Sequence, residues 1–312
     1  MNLQRNELPQ LFDQVFLTDG GLETTLIFHD GFDLPCFASF PLLKDEQGRE
    51  ALQNYYHQYL PLIEGTDYGF ILETPTWRAN RDWGAQLGYD TEQLEAVNRD
   101  SVALMEDIRY RHAGNAGPII ISGNIGPRGD GYVVTEKMSA DEAAAYHGEQ
   151  IRVFADTAAE LVTAITLTYA EEAIGVTRAA QEAGIPAVIG FTTKTDGRLP
   201  SGQSLKDAIE TVDAATDCGP VYYMVNCAHT DHFSDALPDD ESWTRRVRGI
   251  RANASRCSHA ELDEATELDD GDPLEFGELY RVLRDRLPHL AIFGGCCGTD
   301  HRHILEAATA LS

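Results

Sequence analysis

The sequence predicts an α/β protein, a single (β/α)8 TIM barrel domain spanning residues 1–312. Three observations predict it. Eight short β-branched or apolar runs alternate with longer segments of helical period. The runs lack polar alternation, as strands of a parallel sheet do when helices cover both faces. Eight βα units close a barrel, and 312 residues with 43% hydrophobic content can bury a core of that size. An open doubly wound sheet is the structural alternative.

The strands, in order, are 15–18 (VFLT), 69–73 (GFILE), 118–122 (PIIIS), 162–167 (VTAITL), 187–191 (AVIGF), 221–226 (VYYMVN), 247–252 (VRGIRA) and 290–294 (LAIFG). Between them, Leu94, Val97, Leu104, Met105 and Ile108 recur at helical spacing over 91–112, behind a capping Thr91. Ser139 with Glu142 forms a capping box, and Ser204 with Asp207 repeats it in acidic form. The helix over 171–183 stops at Gly184, with Pro186 beyond. Asp272–Pro273 and Thr299–Asp300 mark the starts of the last two helices. Residues 253–275 are the least regular stretch and read as a long βα loop.

Net charge is −27, with acidic residues concentrated over 259–278. Such a surface repels nucleic acid and anionic membrane, so neither is expected as a partner. It reads as a solubilising surface or as adaptation to salt. No apolar stretch approaches the roughly 18 residues of a membrane span, and MNLQRNELPQLFDQ has no leader pattern. A cytoplasmic enzyme is the expectation, and homo-oligomerisation is left open. In a reducing compartment the six cysteines point to metal or catalysis rather than disulfides.

In a barrel, chemistry gathers where strands end at the C-terminal face. Asp19-Gly20-Gly21 follows the first strand, Glu73-Thr74 ends the second, and Asn124 follows the third. Thr166 to Tyr169 close the fourth, Thr192 and Thr193 follow the fifth, Asn226-Cys227 the sixth and Asn253 the seventh. Gly295-Cys296-Cys297-Gly298 follows the eighth. Cys227, Cys296 and Cys297 therefore share one face, and the flanking glycines let both adjacent cysteines turn inward. Three thiolates suit Zn2+ and leave a fourth position open, the catalytic arrangement. Zinc with three thiolates carries a net negative charge, so it generates hydroxide poorly but can hold a substrate sulfur as thiolate. Thiol alkylation fits better than hydrolysis. His229 and His232 are alternative nitrogen ligands. His301 and His303 point to different helix faces, and Cys36, Cys218 and Cys257 read as small buried apolar residues.

TDGGLETTL at 18–26, GNIGPRGDGY at 123–132, VNC at 225–227 and FGGCCGT at 293–299 together resemble the homocysteine S-methyltransferase family. The resemblance runs from about residue 15 to the end. It implies a barrel with zinc on Cys227, Cys296 and Cys297, and it places Asp19 and the Gly20-Gly21 backbone near the thiol substrate. Asn226 would orient the site from beside a ligand, and Asn253 matches an Asn that relatives often carry. Relatives carry a Glu-Thr pair at the end of the fourth strand, whose Glu is associated with the amino group of homocysteine. Here Ile165-Thr166 stands there, which keeps Thr166 as a substrate-binding candidate and makes Glu73 the candidate replacement carboxylate. A TNTF-like motif reads Thr74-Pro75-Thr76-Trp77.

Residue 312 follows the last helix closely, so no separate folate or cobalamin domain is expected. A small onium donor is therefore expected, a sulfonium or quaternary ammonium compound such as S-methylmethionine or betaine. Trp77, Trp83, Tyr89, Tyr132 and Tyr169 are candidates to face its cation. The expected reaction moves a methyl group to a zinc-held thiol, homocysteine giving methionine. Another thiol, or demethylation of an onium compound, is the alternative within that chemistry. A zinc-storage or redox-sensing protein is the alternative outside it.

Overall fold

Parallel strands close in sequence order into a barrel: β1 Phe16–Leu17, β2 Gly69–Glu73, β3 Ile119–Ile125, β4 Leu161–Leu167, β5 Ala187–Phe191, β6 Tyr223–Asn226, β7 Val247–Ala252 and β8 Ile292–Gly295. Phe16 lies opposite Gly69 on one side and Ile292 on the other, so two residues of β1 close the ring. This computed structural model describes residues 8–312 apart from 13, 113, 115, 116 and 135, and not the Asp263 side chain. Residues 1–7, where the stretch read for a leader begins, lie outside the described residues.

The period of two along each strand explains where the polar chemistry sits. Phe16, Ile71, Ile120, Leu161, Met224 and Ile292 belong to one apolar cluster filling the barrel. Two residues further along the same faces come Glu73, Ser122, Thr163 and Asn226, all buried and polar. The interior thus changes from apolar to polar toward the C-terminal ends of the strands. A second, larger apolar cluster joins the outward strand faces to the helices.

The helices follow their sequence signals closely. Ser139 and Glu142 form the capping box of Ala140–Ala155, and Gly184 ends Ala170–Ala183 at φ 72°. The cap of Thr91–His112 is Asp90 rather than Thr91: Asp90 Oδ1 accepts from Gln93 N, and Gln93 Oε1 accepts from Asp90 N. The sixth βα unit is the irregular one. Its helix, Thr230–Phe233, has four residues and is followed by single turns of 3-10 helix. Residues 253–272 form the expected long connection, with one short capped helix, His259–Glu264, while 273–275 already belong to the helix Pro273–Arg286.

Asp300 caps the last helix, His301–Ala310, accepting from Arg302 N, and also pairs with the Arg302 side chain. Burial opposes its charge, but hydrogen bonds from His303 and Arg302 prevail and hold its carboxyl well below the usual range. Asp300→Ala is expected to cost about 1–2 kcal/mol in urea unfolding at pH 7. A depressed carboxylate stabilises above its unfolded pKa, so the cost should fade as pH drops below about 4. Equal stability of variant and wild type at pH 7 would refute the cap's contribution.

Candidate active site

The C-terminal ends of the strands open into a cavity of about 380 Å³, within the size range of small-ligand sites. Cys227, Cys296 and Cys297 line it, with sulfurs all within 4.8 Å of one another. Cys227 Sγ and Cys297 Sγ are 3.6 Å apart. Tetrahedral zinc with Zn–S bonds of about 2.3 Å would space its sulfurs about 3.8 Å apart, so the donor set fits that ion. Sulfurs this close share protons. Hydrogen bonds from Cys227 and Cys296 hold Cys297 well below the usual thiol range, while contacts with Cys296 and Cys297 push Cys227 above it.

Backbone geometry at this end is unusual. Cys227 has φ 56° and Thr166 has φ 63°, a region that β-branched Thr rarely enters. Asn226 holds Thr166 in place: its Oδ1 accepts from Thr166 N, and its Nδ2 donates to Thr166 Oγ1, both at 2.9 Å. Gly294 and Gly295 are required by close approach rather than by inward-turning backbone. A Cβ on either would lie 1.8 Å from Thr18 Oγ1 or 1.9 Å from Thr299 Oγ1. Only Gly298 of this loop takes positive φ, at 79°.

Beside the cysteines, Arg251 of β7 bridges two buried carboxylates. Its Nη2 donates to Asp19 Oδ1 at 2.8 Å, and its Nη1 pairs with Glu73 Oε2. Asn124 Nδ2 also donates to Glu73 Oε2, and Tyr55 Oη donates to Asp19 Oδ2. Burial pushes Glu73 up to about 7 and raises Asp19, with Arg251 pulling both the other way. Arg251 Nε donates to Gly295 O at 3.0 Å, tying this triad to the strand end that carries Cys296.

The structure brings Asp19, Gly20, Gly21, Glu73, Thr166 and the three cysteines to one cavity wall. Asn226 and Asn253 stand behind it, outside the cavity lining. Asn253 donates its backbone N–H to Ala228 O. His229 and His232 are occupied elsewhere: His229 Nδ1 accepts from Asp231 N, and His232 Nε2 contacts Arg256 O. Buried His303 contacts Asp270 O, while His301 is half-buried. Of the cysteines read as small buried residues, Cys218 is exposed and Cys36 and Cys257 are half-buried. Cys218 follows Asp217 in a pair of left-handed turn residues on the surface, where an apolar core is out of reach.

Of the aromatic candidates, Trp77 and Tyr132 line the cavity, while Trp83, Tyr89 and Tyr169 do not. Tyr132 Oη lies 3.2 Å from Cys227 Sγ and 3.4 Å from Cys297 Sγ. Its ring stacks on His259 at 3.9 Å, and His259 Nε2 contacts Cys227 O at 2.6 Å. Sequence reasoning missed Arg251, although a charged residue in a strand buried on both faces was a signal. The contact of the Tyr132 phenol with the sulfurs left no such trace.

A model of homocysteine S-methyltransferases matches residues 16–311. The chain belongs to the homocysteine S-methyltransferase family. Its reaction class is therefore S-methyl transfer, which sets aside a storage or redox-sensing protein. Relatives of this family member include homocysteine S-methyltransferase 1 of Brassica oleracea var. italica, 23% identical over 91% of this chain and 89% of the relative. Homocysteine S-methyltransferase 1 of Arabidopsis thaliana is likewise 23% identical over 91% and 89%. The homocysteine methyltransferase MmuM of Escherichia coli, solved in a metallated form, shares the fold. It superposes with a TM-score of 0.74 at 18% identity, covering 96% of each chain. Among the described residues no helix of this S-methyltransferase is long and apolar enough to cross a membrane.

Proposed function

We propose that this enzyme moves a methyl group from a small onium donor, such as S-methylmethionine or betaine, to the thiol of homocysteine. Zn2+ held by Cys227, Cys296 and Cys297 would serve as its cofactor. The observation that carries the reading is the convergence of three sulfurs on a cavity that also gathers Asp19 and Glu73. Zinc in this donor set supplies one thing, a substrate sulfur kept as thiolate at neutral pH.

The chain's own residues would do the rest. Asp19 and Glu73, oriented by Arg251, offer carboxylate oxygens to the acceptor's ammonium group, while Gly20, Gly21 and Thr166 shape the wall beside it. Asn226 keeps Thr166 in its left-handed conformation, and Asn253 supports the loop behind. Trp77 and Tyr132 present aromatic faces to the donor cation. Leu262 and Leu268, from the long loop after β7, border the cavity and help exclude water. The test is metal analysis of purified protein together with methyl transfer from each donor to homocysteine. Near-stoichiometric zinc and methionine formation are expected. Zinc without methionine would discard this acceptor.

A second reading, the same chemistry on another thiol, draws on Ile165, which lines the cavity where relatives carry Glu. Its candidate replacement, Glu73, already has Oε2 engaged by Arg251 and Asn124. A panel of thiol acceptors lacking the amino group separates the two readings.

Tyr132→Phe keeps the ring stacked on His259 but removes the hydroxyl from the sulfurs. A hydrogen bond to a charged sulfur is worth about 1.5–3 kcal/mol, so kcat/KM is expected to change by about tenfold or more at unchanged zinc content. Unaltered kinetics would show that the hydroxyl has no part in the reaction.

A further inference from the structure

Arg78 is the cation in this cavity that the proposed reaction does not use. It follows Trp77 after β2, lines the cavity and is 6% exposed. Its guanidinium lies 4.0 Å from the Trp77 ring centroid and 3.8 Å from that of Trp83, between two aromatic faces. Its Nη1 donates to Gly129 O at 3.0 Å. Its Nε is buried and has no hydrogen-bond partner among the described residues.

Among the described residues no carboxylate stands within ion-pair distance of Arg78, although the other buried cavity arginine, Arg251, holds two. Burial brings Arg78 down to about 10, which still leaves it charged at neutral pH. A buried charge with an unpartnered donor costs free energy unless a counter-charge approaches it. Asp130 and Glu23 lie near enough to favour the Arg78 charge, but neither stands within ion-pair distance of it among the described residues. Asp130 Oδ1 accepts from Tyr132 N and Val133 N, and Glu23 accepts from Ser39.

We infer that Arg78 is the receptor for the carboxylate of a zwitterionic substrate. A guanidinium stiffened between two indoles presents its N–H donors in a fixed plane, the form that carboxylates match best. The placement also sets Arg78 apart from the sulfurs. From Arg78 the Trp77 ring leads to Gly131, whose Cβ position lies 3.3 Å from it, and then to Tyr132 against Cys227. Arg78 stands at one end with Asp130 and Glu23 near it, and the sulfurs stand at the other beside the Arg251 pairs with Asp19 and Glu73. A substrate bearing a carboxylate and an onium or ammonium group is aligned along that axis, its cation toward the sulfurs. The assignment rests on the proposed methyl transfer only for what brings the carboxylate in.

The experiment titrates wild-type protein with propionate and, separately, propionamide, observed by ligand NMR. Propionate is expected to bind at least about tenfold more tightly, with that preference lost in Arg78→Gln and partly kept in Arg78→Lys. Equal binding of the two probes to wild type overturns the inference whatever the variants do, as does a preference that survives in folded Arg78→Gln. Inhibition kinetics then identify the source: propionate competing with S-methylmethionine assigns Arg78 to the donor, and competing with homocysteine to the acceptor. A protein that transfers no methyl but prefers propionate through Arg78 fails the reaction and keeps the subsite.

Discussion

Replacing Cys296 by alanine is expected to drop bound zinc to a small fraction of an equivalent and methyl transfer by on the order of a thousandfold. Removing one of three thiolates leaves a two-sulfur site, which needs water to complete it and no longer holds the ion with a catalytic position poised. The loop itself should survive. Cys296 N donates to Ala252 O at 2.9 Å, and Thr299 fastens Cys296 O through both its N–H and its hydroxyl, which the side-chain change leaves in place. Thermal unfolding of metal-stripped wild type and variant should therefore nearly coincide. Metal analysis with a methyl-transfer assay decides the matter, and a variant retaining zinc and full activity would remove Cys296 from the site.

Arg251→Met is expected to destabilise the fold by about 3–5 kcal/mol, because it leaves Asp19 and Glu73 buried without their shared cation. Adding Glu73→Gln should recover part of the loss, since the amide needs no counter-charge. The deficit should also shrink as pH falls, because protonation relieves carboxylates whose folded-state pKa is raised. Urea unfolding across pH measures both effects. A single-variant cost below about 1 kcal/mol would mean that the triad is not a paired unit. Since Arg251 Nε also holds Gly295 O, zinc affinity is expected to weaken in the same variant.

Much of the architecture is legible in local pattern. Strands at 69–73, 187–191 and 247–252 coincide with β2, β5 and β7, because apolar runs between turn residues have one good solution in a parallel sheet. Boundaries drifted where tertiary pairing decides them: β3 continues to Ile125, as Ser122 to Ile125 pair with β4 and Asn124 N donates to Thr74 Oγ1. The short sixth helix and the exposed Cys218 were likewise invisible, since neither follows from periodicity.

At the site, residue type and position after a strand were enough for the cysteines. Thiols following β6 and β8 can meet when only β7 separates those strands, and the structure brings their sulfurs within 4.8 Å. They were not enough for partners drawn from across the ring. Arg251 reaches Glu73 on β2 and Asp19 after β1, Tyr132 comes from the loop after β3, and Arg78 sits between two indoles. By itself the sequence determined the barrel, the order of its strands and the three thiols, because strand periodicity and turn chemistry act over a few residues. Which charges neutralise one another, and which cation is left open to the cavity, only the tertiary structure decided. Those pairings depend on distances across the barrel that no local pattern encodes.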